Sequence, residues 1–158
     1  MYTILDTANK EDIIYILENP WDLTKSEWSV QNENDLNNTL SFIENKLDAS
    51  HADGFLQVWK TLEGQTIAIL GFYNVGQKIY ETIFIASKYM DDYALKISLD
   101  LRDVLQKKES TVYKGCACRL YSTSDHPKQV RWFNFIGFQY LPHRNVGNSK
   151  YFEYISKS

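Results

Sequence analysis

The sequence predicts a mixed α/β domain built around a central sheet, and three observations predict it. Short runs rich in Ile, Val, Phe and Tyr alternate with segments in which apolar residues recur at helical spacing. Three of the β-type runs, at residues 55–60, 66–73 and 79–86, follow one another closely, the pattern of an antiparallel meander. Near the C-terminus, Ser124 to Phe138 reads as a strand end, a short aromatic-rich helix and a Gly-Phe stop. Elements alternating in this way sort into helix layers packed on a sheet. At 158 residues, 44% of them hydrophobic, the chain is long enough to bury a core, and residues 1–158 are expected to form one domain.

Each element has its own signal. Tyr2-Thr3-Ile4-Leu5 is a short strand, and Asn9 to Glu18 is a helix with Ile13, Ile14, Ile16 and Leu17 on its apolar side, ending before Asn19-Pro20. Trp21 to Glu33 is polar, carries Trp21 and Trp28, and holds a loop or a second short helix. Asp35 to Leu47 places Leu36, Leu40, Ile43 and Leu47 at helical intervals, and Ala49 to Gly54 is the loop that follows. The meander strands are joined by turns at Leu62-Glu63-Gly64-Gln65 and Asn74-Val75-Gly76. A long helix from Met90 to Lys108 turns Leu95, Leu99, Val104 and Leu105 inward, and a strand runs from Tyr113 to Tyr121.

In the last helix Pro127 suits the first turn, where a missing N–H costs nothing, and Ser124 or Asp125 offers a capping oxygen. Val130, Phe133, Phe135 and Ile136 recur at roughly helical spacing, Gly137 supplies a left-handed stop, and Phe138 to Leu141 extends again. A final strand lies near Tyr151 to Ile155. The order is strand, two helices, three-strand antiparallel meander, helix, strand, helix, strand.

Charge and cysteine content narrow the function classes. Seventeen Lys and Arg stand against twenty Asp and Glu, a net charge of −3 with no global nucleic-acid footprint. The distribution is uneven: residues 1–50 hold ten acids and three bases, residues 114–158 two acids and seven bases. An acidic face beside a cationic substrate and a basic face beside a phosphate-bearing ligand is one reading, and solvated surface is the other. Cys116 and Cys118 are too few for a disulfide framework and read as buried free thiols on one strand face. His51, His126 and His143 stand in unrelated contexts, so no metal is predicted. No basic-then-apolar leader and no membrane-length apolar run is present, which predicts a soluble protein of the cell interior.

The element order and the Gly-Phe ending of the last helix resemble the GNAT superfamily of acyl-CoA-dependent N-acetyltransferases, over nearly the whole chain. Phe84-Ile85-Ala86-Ser87-Lys88-Tyr89-Met90, the long helix, and then His126 with Val130-Arg131-Trp132-Phe133 and Ile136-Gly137-Phe138 look most like GNAT-like proteins of tailed bacteriophages, some labelled internal virion or assembly proteins. The resemblance implies acetyl-CoA as co-substrate and an amine as acceptor, or virion and assembly proteins as partners, in the host cytoplasm or the virion.

It also implies roles for individual residues. The strand before the long helix offers backbone groups to the pantetheine arm, here Ile83, Phe84 and Ile85. The Arg/Gln-x-x-Gly-x-Gly/Ala loop that holds the pyrophosphate is replaced by Ser87-Lys88-Tyr89-Met90-Asp91-Asp92-Tyr93-Ala94, without glycine and with two carboxylates, so Lys88 or Lys128 would have to supply the charge. The tyrosine that protonates the thiolate in many members is Phe133 here, leaving Tyr121, Tyr140, Tyr151 or a water as alternatives. His126 stands where the family often has asparagine, as a turn-fixing residue or a proton carrier, and Glu81 is the best-placed carboxylate for a general base, or a plain surface glutamate. The acidic segment from Trp21 to His51, which builds the substrate end, points to an amine.

Overall fold

The computed structural model describes residues 1–155. Chain order is β1 (Tyr2–Leu5), α1 (Lys10–Glu18), α2 (Asp22–Glu27), α3 (Glu33–Ala52), β2 (Gly54–Thr61), β3 (Thr66–Gly76), β4 (Ile79–Ala86), α4 (Met90–Ser110), β5 (Ala117–Ser122), α5 (Gln129–Ile136), β6 (Phe138–Tyr140) and β7 (Lys150–Tyr154). The strands form one seven-stranded sheet in the order β1-β2-β3-β4-β5-β7-β6. Every pairing is antiparallel except β4 with β5, which the crossover helix α4 makes parallel.

Side-chain alternation along the central strands divides the core between the two faces of the sheet. Val58, Ile69, Ile83 and Ile85 pack against Ile13, Ile16, Leu40, Ile43 and Leu47 of α1 and α3. On the opposite face Trp59, Leu70, Leu120 and Phe152 pack against Ile97, Leu101, Leu105 and Ile136 of α4 and α5. α1 opens on a reciprocal cap, with Asn9 Oδ1 accepting the Asp12 N–H and Asp12 accepting the Asn9 N–H.

Several boundaries differ from the sequence reading. α3 runs on through Ala52, because Ser50 is wholly buried and its hydroxyl donates to the Lys46 carbonyl within the helix, so the loop expected over residues 49–54 shrinks to its end. In α4 the inward positions are Ile97, Leu101 and Leu105, whereas Leu95 is 70% exposed. The strand expected from Tyr113 begins at Ala117, so of the two thiols expected to be buried on one strand face only Cys118 is, and Cys116 sits just before the strand, half-buried. The extended stretch expected from Phe138 and the final strand pair with each other as a C-terminal hairpin, β6 with β7.

α5 starts later than its sequence suggests. Pro127 lies outside it, Lys128 is the N-cap, and no side chain caps the helix. The Ser124 hydroxyl instead accepts the His126 N–H (3.1 Å), and His126 Nδ1 accepts the Lys128 N–H (3.1 Å), making a tight turn ahead of the helix. The stop is as read. Gly137 adopts φ +117°, and a Cβ there would lie 2.3 Å from the Tyr154 ring, so both conformation and space require glycine.

Candidate functional site

β4 and β5 pair over three positions, Ile79–Glu81 with Ala117–Arg119, and then part, while β5 continues along β7 as far as Ser122. A V-shaped gap opens between the second half of β4 and the end of β5. Which backbone groups face it follows from the ladder phase. Ser87 N–H donates to the Ile67 carbonyl at 2.8 Å, and in an antiparallel pair alternate residues point the same way. Ile83 and Ile85 therefore direct their backbone groups to Gly71 and Ile69 of β3, and Thr82, Phe84 and Ala86 direct theirs into the gap. Of Ile83, Phe84 and Ile85, Phe84 alone presents its main chain there.

The chain's own segment around α2 occupies the gap. Pro20 bridges to Ser87, the Trp21 N–H donates to the Ala86 carbonyl (3.0 Å), and the Ala86 N–H donates to Thr24 Oγ1 (2.9 Å). Both outward-facing backbone groups of Ala86 are thereby satisfied from within. The Trp21 ring meets Trp132 of α5 edge to face at 5.4 Å, and Trp132 packs on Phe84 at 4.9 Å while donating its Nε1–H to Ser98 of α4 (3.0 Å). The far end of α2 is fixed to β5. Glu27 accepts the Ser122 hydroxyl and the N–H groups of Thr123 and Ser124, and the Ser26 and Ser124 hydroxyls share a hydrogen bond of 2.6 Å. About 50 Å³ of cavity remains in the gap, space for a few waters, against ~300 Å³ and upward for ligand sites.

The start of α4 is equally closed. Met90, Asp91 and Asp92 N–H groups donate to the carbonyls of Ser87, Lys88 and Tyr89 (2.9, 3.2 and 3.1 Å), so the first-turn amides that would hold an anion are engaged. Met90 is wholly buried, Asp91 and Asp92 are exposed carboxylates, and Trp21 Nε1–H donates to Asp91 (3.2 Å). Lys88 and Lys128 lie on the surface at the starts of α4 and α5, and neither lines the gap. These residues do not fit the pantetheine arm and pyrophosphate of acetyl-CoA.

A second cavity, of about 260 Å³, lies on the α3 face of the sheet and shares Glu27, Trp28, Thr82, Ile83, Tyr121 and Ser122 with the gap. Glu81 is on its wall, where Arg119 Nε–H (2.9 Å) and the Tyr73 hydroxyl (3.0 Å) each donate to one of its oxygens. Burial, with Glu81 beside it, pushes the Tyr73 hydroxyl far above its ordinary range, so it stays a proton donor. His126 is away from both cavities and holds the turn before α5.

Phe133 packs edge-on against Phe152 at 4.9 Å at the gap and carries no hydroxyl. Among the tyrosines, Tyr121 lines both cavities. The Tyr140 hydroxyl accepts from Asn145, and that of Tyr151, pushed up to about 12 by burial and Glu153, donates to Glu153. Among the described residues no group of three or more His, Cys, Asp or Glu is placed to hold a metal, and no helix is long and apolar enough to cross a membrane.

Sequence reasoning missed Thr24, Glu27 and Arg119. Nothing local marks them, since each acquires its meaning from a strand or helix distant in the chain. Trp21 and Trp28 in a polar segment were the one visible sign that this stretch packs.

No family model matches the chain, and no curated protein matches its sequence. Its structure is similar to solved ones. A GNAT-family acetyltransferase from Staphylococcus aureus Mu50 has 15% identity and a TM-score of 0.66, with 98% of each chain covered. A GNAT-family acetyltransferase from Bacillus anthracis has 16% identity and a TM-score of 0.62, covering 99% of this chain and 96% of that one. PaiA N-acetyltransferase from Thermoplasma acidophilum, in complex with coenzyme A, has 14% identity and a TM-score of 0.61, with 98% of each covered. The parted β4 and β5, the crossover helix and the C-terminal hairpin thus belong to one known architecture: this chain has the fold of the GNAT-family acetyltransferases.

Proposed function

We propose that this chain is a phage-type GNAT-fold protein that does not carry out acetyl transfer and acts through protein contacts in a virion or during its assembly. One observation carries the non-catalytic half. Where the resemblance would put the pantetheine arm, Trp21, Trp132 and Phe84 pack together and the Ala86 amide is bonded to Thr24. For the interaction half, support comes from the likeness of the Val130–Phe138 segment to phage proteins and from exposed apolar side chains on the outer helices, Leu95, Val130 and Phe135.

A second reading, an acetyl-CoA-dependent N-acetyltransferase with a degenerate pyrophosphate loop, is favoured by the retained parting of β4 and β5 and by the cavity beside Glu81. The test is release of CoA from acetyl-CoA by the purified protein in the presence of a panel of primary amines. The first reading predicts no release above the uncatalysed rate. Turnover that Glu81→Gln abolishes would establish the second.

A further inference from the structure

We infer that the free edge of β1 is a pairing surface for a second copy of this chain, the two β1 strands joining antiparallel about a two-fold axis at Thr3 to make one continuous sheet. The inference goes beyond the proposed function and holds whether or not the chain transfers acetyl groups.

β1 is one edge of the seven-stranded sheet, and the ladder phase fixes which of its groups point out. Asn74 N–H donates to the Asp53 carbonyl (3.1 Å), and at the other end of β2 Thr61 N–H donates to the Gln65 carbonyl (2.8 Å). By alternation Val58 and Lys60 direct their backbone groups away from β3 and toward β1, where they stand opposite Leu5 and Thr3. Leu5 and Thr3 are therefore the residues that bond β2. Tyr2 and Ile4 turn their N–H and C=O outward, and no described residue bonds them.

Sheet edges of monomers are normally blunted by shortness, a lysine, a proline, a bulge or a cover. The opposite edge follows that rule: β6 is three residues long, with Pro142 just beyond it. β1 does not. Tyr2 to Leu5 contains no charge and no proline, and Ile4 and Leu5 are 52% and 43% exposed.

The chemistry of this edge is complementary to itself. In an antiparallel joint, outward-facing residues pair with outward-facing residues, so a two-fold at Thr3 sets Tyr2 of each copy against Ile4 of the other and Thr3 against Thr3. An aromatic ring beside a β-branched chain and two threonines face to face are favourable cross-strand pairs, and no like charges meet. The neighbouring helix adds charge complementarity. The flank of α4 beside β1 is marked by Tyr93, whose ring meets that of Tyr2 edge to face at 5.7 Å, and by Asp100, which accepts the Tyr2 hydroxyl. By helical spacing this flank also carries Asp92, Lys96, Asp103 and Lys107, all exposed and none in an ion pair among the described residues. The two-fold runs the two α4 helices antiparallel, with Lys96 of each across from Asp100 and Asp103 of the other and Lys107 across from Asp92. Opposite charges so arranged favour this partner over an unrelated strand.

Sedimentation equilibrium from about 10 µM to about 1 mM chain, with amide hydrogen exchange over the same range, tests the pairing. Dimer is expected to build up with concentration, and exchange of the Ile4 amide should slow at least fivefold as it does, while the Leu5 amide, already bonded to β2, changes little. Thr3→Lys, which sets like charges face to face at the axis, and Ile4→Pro, which removes an N–H that β2 does not use, should each weaken association at least tenfold. Thr3 is exposed, so Thr3→Lys should leave the melting temperature of the dilute protein unchanged. A chain that stays monomeric throughout, a dimer indifferent to both variants, or a dimer in which the Ile4 amide exchanges as fast as in the monomer would each overturn the assignment, the first leaving the edge to a strand of a different protein. Release of CoA from acetyl-CoA reads the proposed function separately, so the two can fail independently.

Discussion

Trp21 and Trp132 meet edge to face with ring centres 5.4 Å apart, one from the segment leading into α2 and the other from α5, across the line on which β4 and β5 separate. Trp132 also packs on Phe84 and Phe133 and bonds Ser98, so it ties α5 to both α4 and β4. Trp132→Ala should therefore cost ~3–5 kcal/mol of stability, in the range of large aromatic truncations. Urea denaturation checks this, and a loss under 1 kcal/mol would mean the ring is not packed as described.

Thr24 is buried, and its hydroxyl is the partner of the Ala86 N–H. Thr24→Val keeps the volume and leaves that amide unsatisfied, a cost of ~1–3 kcal/mol. Thr24→Ser retains the hydroxyl and should recover most of the loss. Equal destabilisation by the two variants would argue that packing alone matters at this position.

Glu27 is the acceptor for two main-chain amides at the end of β5. In Glu27→Ala the Thr123 N–H loses its partner and the Ser124 N–H keeps only its longer bond to Ser122 Oγ (3.3 Å), so amide hydrogen exchange should speed up at least tenfold at Thr123 and less at Ser124 while the centre of β3 stays protected. Unchanged exchange at Thr123 would show that α2 does not fasten this loop.

Asp12 lies among the Asn9 N–H, Lys60 Nζ (2.9 Å) and the Thr66 hydroxyl (2.8 Å). Burial alone would raise its carboxyl, but these partners outweigh it and hold it below the ordinary 3.8. A carboxyl depressed by folding stabilises the native state above its unfolded value, and that contribution is lost as pH falls through the folded one. Asp12→Asn should thus cost ~2–4 kcal/mol at pH 7. The gap between wild type and variant should hold down to about pH 5 and narrow below 3.8. A gap independent of pH would remove the ionised carboxylate from the account.

The two thiols should separate by reactivity. Burial, reinforced by its bond to Glu109, pushes the Cys118 thiol well above its ordinary range, whereas Cys116 is half-buried at the strand mouth. A disulfide reagent should therefore label Cys116 in the native protein and reach Cys118 only on unfolding, as peptide mass mapping would show. Equal labelling of both in the native state would contradict the buried placement.

What the sequence made legible is what short-range pattern encodes. The meander follows from β-branched runs and turns, α1 from its spacing and cap, and the end of α5 from Gly137, whose conformation no other residue adopts cheaply. Leu95 was misplaced because α4 offers several apolar positions, and only the sheet beneath it selects Ile97, Leu101 and Leu105. The start of α5 was misread because Ser124, a plausible cap, is drawn instead to the His126 amide and the Ser26 hydroxyl. The missing glycines and the phenylalanine at 133 were visible as departures, yet the closure itself depends on Thr24, Glu27 and two tryptophans brought together by tertiary contacts.

Trp21, Trp132 and Thr24 occupy the cleft to which the resemblance assigns acyl-CoA. Calorimetric titration with acetyl-CoA and CoA at low ionic strength, where weak phosphate contacts are not screened, tests it most directly. No saturable heat is expected at millimolar ligand. Binding at micromolar concentration, weakened by Lys88→Ala or Lys128→Ala, would contradict it and show that Trp21 and Trp132 yield the cleft to the ligand.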